Sequence, residues 1–304
     1  MRFGRAVAIA AVLAVIAAMS FGHLPSGQAL YVGSVDLPSD PGRLGGYSGL
    51  ELGPDGRQMV LISDRGRLVR GHLSRQNGAL SVTTGPAISF LDRNGRRLSG
   101  TANDAEGLAI GPQGDMFISF EATHRVLRYP AGQTRPIPMP RHTAFQNMPS
   151  NGGLEALAVG ARGVLYAIPE RVWTRSRRIP VFRLDQNGWS DWATFPRAKG
   201  FLPVGADLGP DGRLYVLERH FKGLGFASQV RSFIVTAQGL ADERLVLRTR
   251  ERQHGNLEGL AVWRDDLGQI RLTMVADNNF LSLLPNTIVE YVLPKTLAKQ
   301  GNQD

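Results

Sequence analysis

One short pattern recurs five times along this chain, and any fold must house the five copies in equivalent ways. In the first, Leu50-Glu51-Leu52-Gly53-Pro54-Asp55-Gly56 leads into Met59-Val60-Leu61-Ile62-Ser63-Asp64. The second passes from Glu106-Gly107-Leu108-Ala109-Ile110 through Gly111-Pro112-Gln113-Gly114 to Met116-Phe117-Ile118-Ser119-Phe120-Glu121. The third passes from Glu155-Ala156-Leu157-Ala158-Val159 through Arg162-Gly163 to Leu165-Tyr166-Ala167-Ile168-Pro169-Glu170. The fourth passes from Ala206-Asp207-Leu208 through Gly209-Pro210-Asp211-Gly212 to Leu214-Tyr215-Val216-Leu217-Glu218. The fifth joins Leu257-Glu258-Gly259-Leu260-Ala261-Val262 by a longer turn to Ile270 through Asp277. Proline presets φ for such a turn and glycine takes the positive φ after it, so each copy reads as a hairpin.

A third strand follows each hairpin, over Leu68–Leu73, Arg125–Tyr129, Val181–Leu184, Val230–Val235 and Ile288–Leu293. A more polar fourth strand follows the first four copies, over Ala79–Ile88, Thr134–Met139, Trp189–Phe195 and Arg244–Arg248. The last copy lacks one, and Tyr31–Leu37 is the natural strand to complete it. Pairing the chain ends this way removes the open edges of an unclosed array. Units of four strands at a period of about 50 residues describe an all-β propeller, with few helices and five blades as the direct count. Six blades stay open, because Leu91–Asn103 and Arg141–Gly152 have room for a degenerate strand.

The repeat also places acids in register. Glu106, Glu155 and Glu258 stand at the start of the first strand, where the first copy has Ser48 and the fourth Val204, with Asp207 three residues on. Asp64, Glu121, Glu170, Glu218 and Asp277 stand at the end of the second strand. In an antiparallel hairpin both sets flank the same end, so about eight to ten carboxylates converge on one mouth of the propeller. Like charges so confined repel. A hard divalent cation, calcium foremost, would relieve them, and so would ion pairs, for which Arg65 and Arg219 directly follow Asp64 and Glu218. With no cysteine and scattered histidines, zinc and copper fit poorly.

The metal candidates are therefore Asp64, Glu106, Glu155, Glu258 and Asp277, with Asn278 as an amide ligand beside Asp277. Asn279, Asn103, Asp104 and Asn151 could serve similarly. Glu121, Glu170 or Glu218 would act as base, and Arg65, Arg219 or His220 would hold developing negative charge. His254, ahead of Asn256-Leu257-Glu258, is expected at the same mouth. Arg175, Arg177 and Arg178 form a basic loop able to hold a phosphate. No serine nucleophile elbow and no phosphate-cradling glycine loop is present.

The N-terminus reads as a secretory signal over residues 1–29. Arg2 and Arg5 precede an uninterrupted apolar run from Ala6 to Met19, and small residues ending at Ala29 mark the cut. That run is short for a membrane span, so no membrane insertion is expected after cleavage, and residues 30–304 form one domain in the periplasm or outside the cell. The net charge of +9 would favour anionic substrates, while nothing resembles a nucleic-acid module. A monomer is expected.

Ser48-Gly49-Leu50, Pro54-Asp55-Gly56-Arg57 and Ser63-Asp64-Arg65-Gly66 resemble the opening motif of the bacterial family called "esterase-like activity of phytase". Asp104-Ala105-Glu106-Gly107-Leu108-Ala109, Gly153-Leu154-Glu155-Ala156-Leu157, Asp207 to Arg219, Asn256-Leu257-Glu258-Gly259-Leu260 and Ala276-Asp277-Asn278-Asn279-Phe280 resemble the family's other motifs, in order. The resemblance implies an exported propeller hydrolase of phosphate or carboxylic esters, and calcium ions as in propeller phytases, whose own motifs this chain lacks. A more distant resemblance to calcium-dependent lactonase propellers implies one metal among Glu106, Asn278 and Asp277. The competing expectation is a non-catalytic binding propeller of the cell envelope.

Overall fold

The computed structural model describes residues 28–38, 45–171, 177–278 and 285–294. All but the last two residues of the expected signal lie outside them, as do Arg175 and Asn279.

Strand β1 (Leu30–Asp36) belongs to the last blade, and the chain then builds the other four in order. Blade one holds β2 (Tyr47–Leu52), β3 (Gln58–Ser63), β4 (Arg67–Gln76) and β5 (Ala79–Thr84), with the two-residue β6 (Ile88–Ser89) against the start of β4. Blade two holds β7 (Ala105–Ile110), β8 (Met116–Phe120), β9 (Arg125–Tyr129) and β10 (Ile137–Pro138). Blade three holds β11 (Leu154–Val159), β12 (Leu165–Pro169), β13 (Arg178–Asp185) and β14 (Gly188–Pro196). Blade four holds β15 (Leu202–Leu208), β16 (Arg213–Phe221), β17 (Phe226–Thr236) and β18 (Gly239–Arg248). Blade five holds β19 (Asn256–Arg264), β20 (Ile270–Asp277), β21 (Thr287–Val292) and, outermost, β1.

This is a five-bladed β-propeller, and β1 pairs antiparallel with β21 to close the ring. The six-bladed alternative is corrected. The two segments with room for a sixth blade hold short 3-10 turns at Gly100–Ala102 and Thr143–Asn147 and one isolated bridge, Leu91 to Arg97.

The hairpin turns behave as their residues dictate. Gly56, Gly114, Gly163, Gly212 and Gly268 all take positive φ, between 68° and 84°. Each donates its N–H to the carbonyl three residues back. Within a blade, side chains alternate between the two faces of the sheet, so apolar residues of facing sheets meet between blades. Val60, Ile62 and Leu68 of blade one, for instance, pack on Leu108, Ile118, Phe120 and Leu127 of blade two.

The inner strands approach so closely that only glycine fits at several points. A Cβ on Gly205 would lie 2.6 Å from the Glu258 carbonyl, and one on Gly259 would lie 2.6 Å from the Leu50 nitrogen. The space left between these strands on the axis is about 10 Å³, room for one water at most. The two mouths of the propeller are therefore separate compartments.

Candidate functional site

Every inner strand gains one residue over its neighbour at the same height. The register slips at Ser48 in β2, Glu106–Gly107 in β7, Glu155 in β11, Val204 in β15 and Glu258 in β19. These are the start positions of the repeat. A bulge leaves its extra residue out of the ladder and turns that side chain in a new direction. Ser48 uses this freedom to donate to the Ala105 carbonyl of the next blade at 2.6 Å. The glutamates turn toward one another across the mouth. Burial above all, and then Glu155, Glu258, Asp104 and Glu121, hold the Glu106 carboxyl well above the usual carboxylate range.

The end positions follow from the same register. The residue after the partner of Tyr47, Ala105, Leu154 and Leu257 is Asp64, Glu121, Glu170 and Asp277, respectively. In blade four Pro203 pairs with Glu218, so the equivalent residue is Arg219. A shift of one residue moves a strand side chain to the opposite face. Glu218 accordingly points away from the mouth. It is fully buried against Arg231, whose Nη2 and Nε lie 2.6 and 2.7 Å from its two oxygens, with Gln229 Nε2 at 2.7 Å. The structure thus closes Glu218 in an internal ion pair, which replaces its expected place among the mouth acids.

Asp104, Glu106 and Glu121 form the tightest group, with one carboxylate oxygen from each within 4.8 Å of the others. Burial and then the charge of Glu121 raise the Asp104 carboxyl, and burial and then Glu170 raise that of Glu155 well above its usual range, with Arg219 opposing. Glu121 accepts from the Gly152 and Gly153 nitrogens. Asp64 joins from blade one, with its carboxyl pushed up to about 7 by burial and then by Asp277, Glu258 and Asp104, against the opposing charge of Arg65. Its Oδ1 is buried with no hydrogen-bond partner. Among the described residues no ion pair reaches Asp64, Asp104, Glu106 or Glu121.

The opposite side of the mouth carries ion pairs. Arg219 donates through Nη1 to Asn256 Oδ1 at 2.8 Å and to Glu258, and through Nη2 to Glu170 Oε1 at 3.2 Å. Burial disfavours its charge, but Glu258, Glu155 and Glu170 outweigh that and raise its pKa. Arg171 Nε takes the second oxygen of Glu170 at 3.1 Å. Asn256 Nδ2 also reaches Glu258, at 2.7 Å.

The remaining candidates separate. Asp277 pairs with Asn256 across β20 and β19, and the buried Asn278 donates its backbone N–H to Asn286 Oδ1 at 3.0 Å. Arg65 is exposed at the rim. His220 packs its ring on Phe201, with centroids 5.3 Å apart, on the face opposite Arg219. His254 is corrected from the mouth to the outer strands of blade five, where it stacks on Tyr31 and lies 2.5 Å from the Tyr291 hydroxyl.

Residue types gave no warning of His124, a buried imidazole in the turn after β8 that packs on Gly153 beside Glu121, its charge disfavoured by burial. Arg171 had a signal. It follows Glu170 as Arg65 follows Asp64.

The group of Asp104, Glu106 and Glu121 offers only oxygen atoms to a cation. The family described as Phytase-like, esterase-like activity of phytase, matches residues 42–280. The chain belongs to this family. No curated protein matches it. Among solved structures, a PQQ-bound aldose sugar dehydrogenase from Streptomyces coelicolor shares 13% identity over 88% of this chain and 100% of its own, at a TM-score of 0.45. A virginiamycin B lyase from Staphylococcus aureus shares 10% identity over 86% of this chain and 98% of its own, at 0.44. A catalytically inactive form of that lyase with quinupristin shares 11% identity over 82% of this chain, at 0.41, and the chain spans 66% of its length. These likenesses are distant, and the five-bladed architecture of this Phytase-like propeller rests on its own sheets.

Proposed function

We propose that this Phytase-like propeller is an exported, metal-dependent hydrolase of phosphate or carboxylic esters, acting in the periplasm or outside the cell as a monomer on small anionic or ester substrates. The observation that carries this reading is the convergence of Asp104, Glu106 and Glu121 within 4.8 Å, with no ion pair to offset them among the described residues. These carboxylates form an all-oxygen set that suits a hard divalent cation such as calcium, and Asp64, with its orphaned Oδ1, adds a further carboxylate at the same mouth. A cation bound there supplies Lewis-acid polarisation of an ester or phosphoryl oxygen.

The chain's own groups do the rest. Arg65 at the rim draws an anionic substrate toward the mouth. Glu155, buried at the same mouth, is the carboxyl placed to hand a proton to a leaving oxygen. The waist of the propeller, with about 10 Å³ between the inner strands, has no room for a substrate to pass from the other mouth. The basic start and apolar run before residue 29 support export.

The test combines a calcium-titrated thermal shift with ester and phosphoester panels, with and without chelator. Turnover that chelator abolishes, with a calcium-dependent rise in melting temperature, is expected. Full turnover in excess chelator sinks the metal reading.

One observation favours a second reading, a non-catalytic binding propeller. Glu170 and Glu258 are closed by Arg219 and Arg171, as structural ion pairs would be. A flat calcium response with no turnover on either panel would select it.

A further inference from the structure

Blade four breaks the acidic pattern twice. Its start position is Val204 and its end position is Arg219, so it removes two carboxylates from the ring and adds one positive charge. From blade four the guanidinium reaches both neighbouring blades, Glu170 in blade three and Glu258 with Asn256 in blade five. Its side chain is 18% exposed, and the three glutamates around it keep it charged despite that burial. A planar guanidinium, with donors fixed in a fork, suits two carboxylates approaching from different directions, whereas a lysine ammonium is one point charge on a flexible stem.

We infer that Arg219 is a built-in counter-cation for Glu155, Glu170 and Glu258, standing where a second divalent ion would otherwise bind. Arg219 thereby limits the mouth to one exchangeable cation, on the side of Asp64, Asp104, Glu106 and Glu121. The count of one rests on the cation site proposed above, but the displacement of a second ion does not. Arg219 is therefore already engaged by carboxylates and acts as a positioning residue. The two sides of the mouth are assigned by charge: blades three and five meet an internal cation, while blades one and two lack one among the described residues.

The test is a calcium titration by calorimetry of the full chain after chelator treatment, with melting curves in parallel. Arg219→Gln is expected to bind one more calcium per chain than the natural protein, and its melting temperature should rise more steeply with calcium. Arg219→Lys keeps the charge and is expected to keep the natural count. Arg219→Gln with Glu258→Gln removes one charge of each sign, and the extra calcium is expected to disappear. An unchanged count in Arg219→Gln overturns the inference, and so does a variant that stays unfolded at saturating calcium, because a bound ion would then not replace the guanidinium. A natural protein that binds no calcium, beside a variant that binds one, refutes the cation site proposed above and upholds the role of Arg219. Equal counts of one do the reverse.

Discussion

The guanidinium of Arg219 lies 3.2 Å from Glu170 Oε1, although the two residues hold the same place in neighbouring blades. A ring of identical blades would set like against like at that height, and the repulsion would be shared evenly. Substituting one cation for one acid converts the ring into a polarised mouth, closed by ion pairs on one side and charge-rich on the other.

Glu106→Gln tests the charge-rich side. Glu106 is buried among acids, so a neutral amide of the same shape removes repulsion and should leave calcium-free stability equal or higher. The same change should remove most of the calcium-induced stabilisation, about 2.7 kcal/mol at a calcium concentration one hundredfold above Kd. Melting curves with calcium and with chelator check both halves.

Glu218→Gln should act in the opposite manner. It removes the main partner of the buried Arg231 and leaves an under-compensated charge, at a cost of about 3–5 kcal/mol. Denaturant unfolding should show that loss, while the calcium response stays as in the natural protein. A lost calcium response with unchanged stability would place Glu218 back in the mouth.

The other mouth has its own titration. There Glu51 and Asp207 face a cavity of about 680 Å³, and Asp207 Oδ2 accepts the Val262 N–H at 2.6 Å. Burial pushes the Asp207 carboxyl up to about 7, and burial followed by the charge of Asp207 pushes Glu51 well above its usual range. A carboxyl raised in the folded state binds its proton more tightly there than in the unfolded chain. The part of stability linked to Asp207 should therefore fall as pH rises from about 4 to 7 and then level off, and the part linked to Glu51 should go on falling above that range. Asp207→Asn keeps an acceptor for Val262 and should flatten that decline in urea midpoints measured across the range.

Gly205→Ala probes the waist. Its Cβ would meet the Glu258 carbonyl at 2.6 Å, so the inner strands of blades four and five must separate. Overpacking of this kind costs about 1–3 kcal/mol. The midpoint of denaturant unfolding should drop, whereas alanine at Gly163, with nothing near its Cβ, is strained only by its φ of 76°.

The hairpins were legible because each carries its own turn chemistry, and the closing role of the N-terminal strand followed from a missing fourth strand. The outer strands were less so. The expected strand over Thr134–Met139 narrows to Ile137–Pro138, since Pro136 and Pro138 withhold the N–H groups a ladder needs. Blade four was misread by one residue. Seven residues after the turn glycine comes Glu121 from Gly114, Glu170 from Gly163 and Arg219 from Gly212. Matching by residue type stopped one short, at Glu218, and in a strand one residue is a whole face. The cluster of Asp104 with Glu106 and Glu121 was legible only as neighbours, because the bulge that aims Glu106 leaves no mark in residue type.

The strand that closes the ring also sets when it can close. Leu30–Asp36 finds its partner only when Thr287–Val292 has been made, some 250 residues later. Until then blade five lacks its outer strand and the ring has a gap beside it. Contacts so distant along the chain form slowly and late. The finished propeller is therefore a product of the whole chain, since the last blade takes its outer strand from one end of the sequence and its other three from the other.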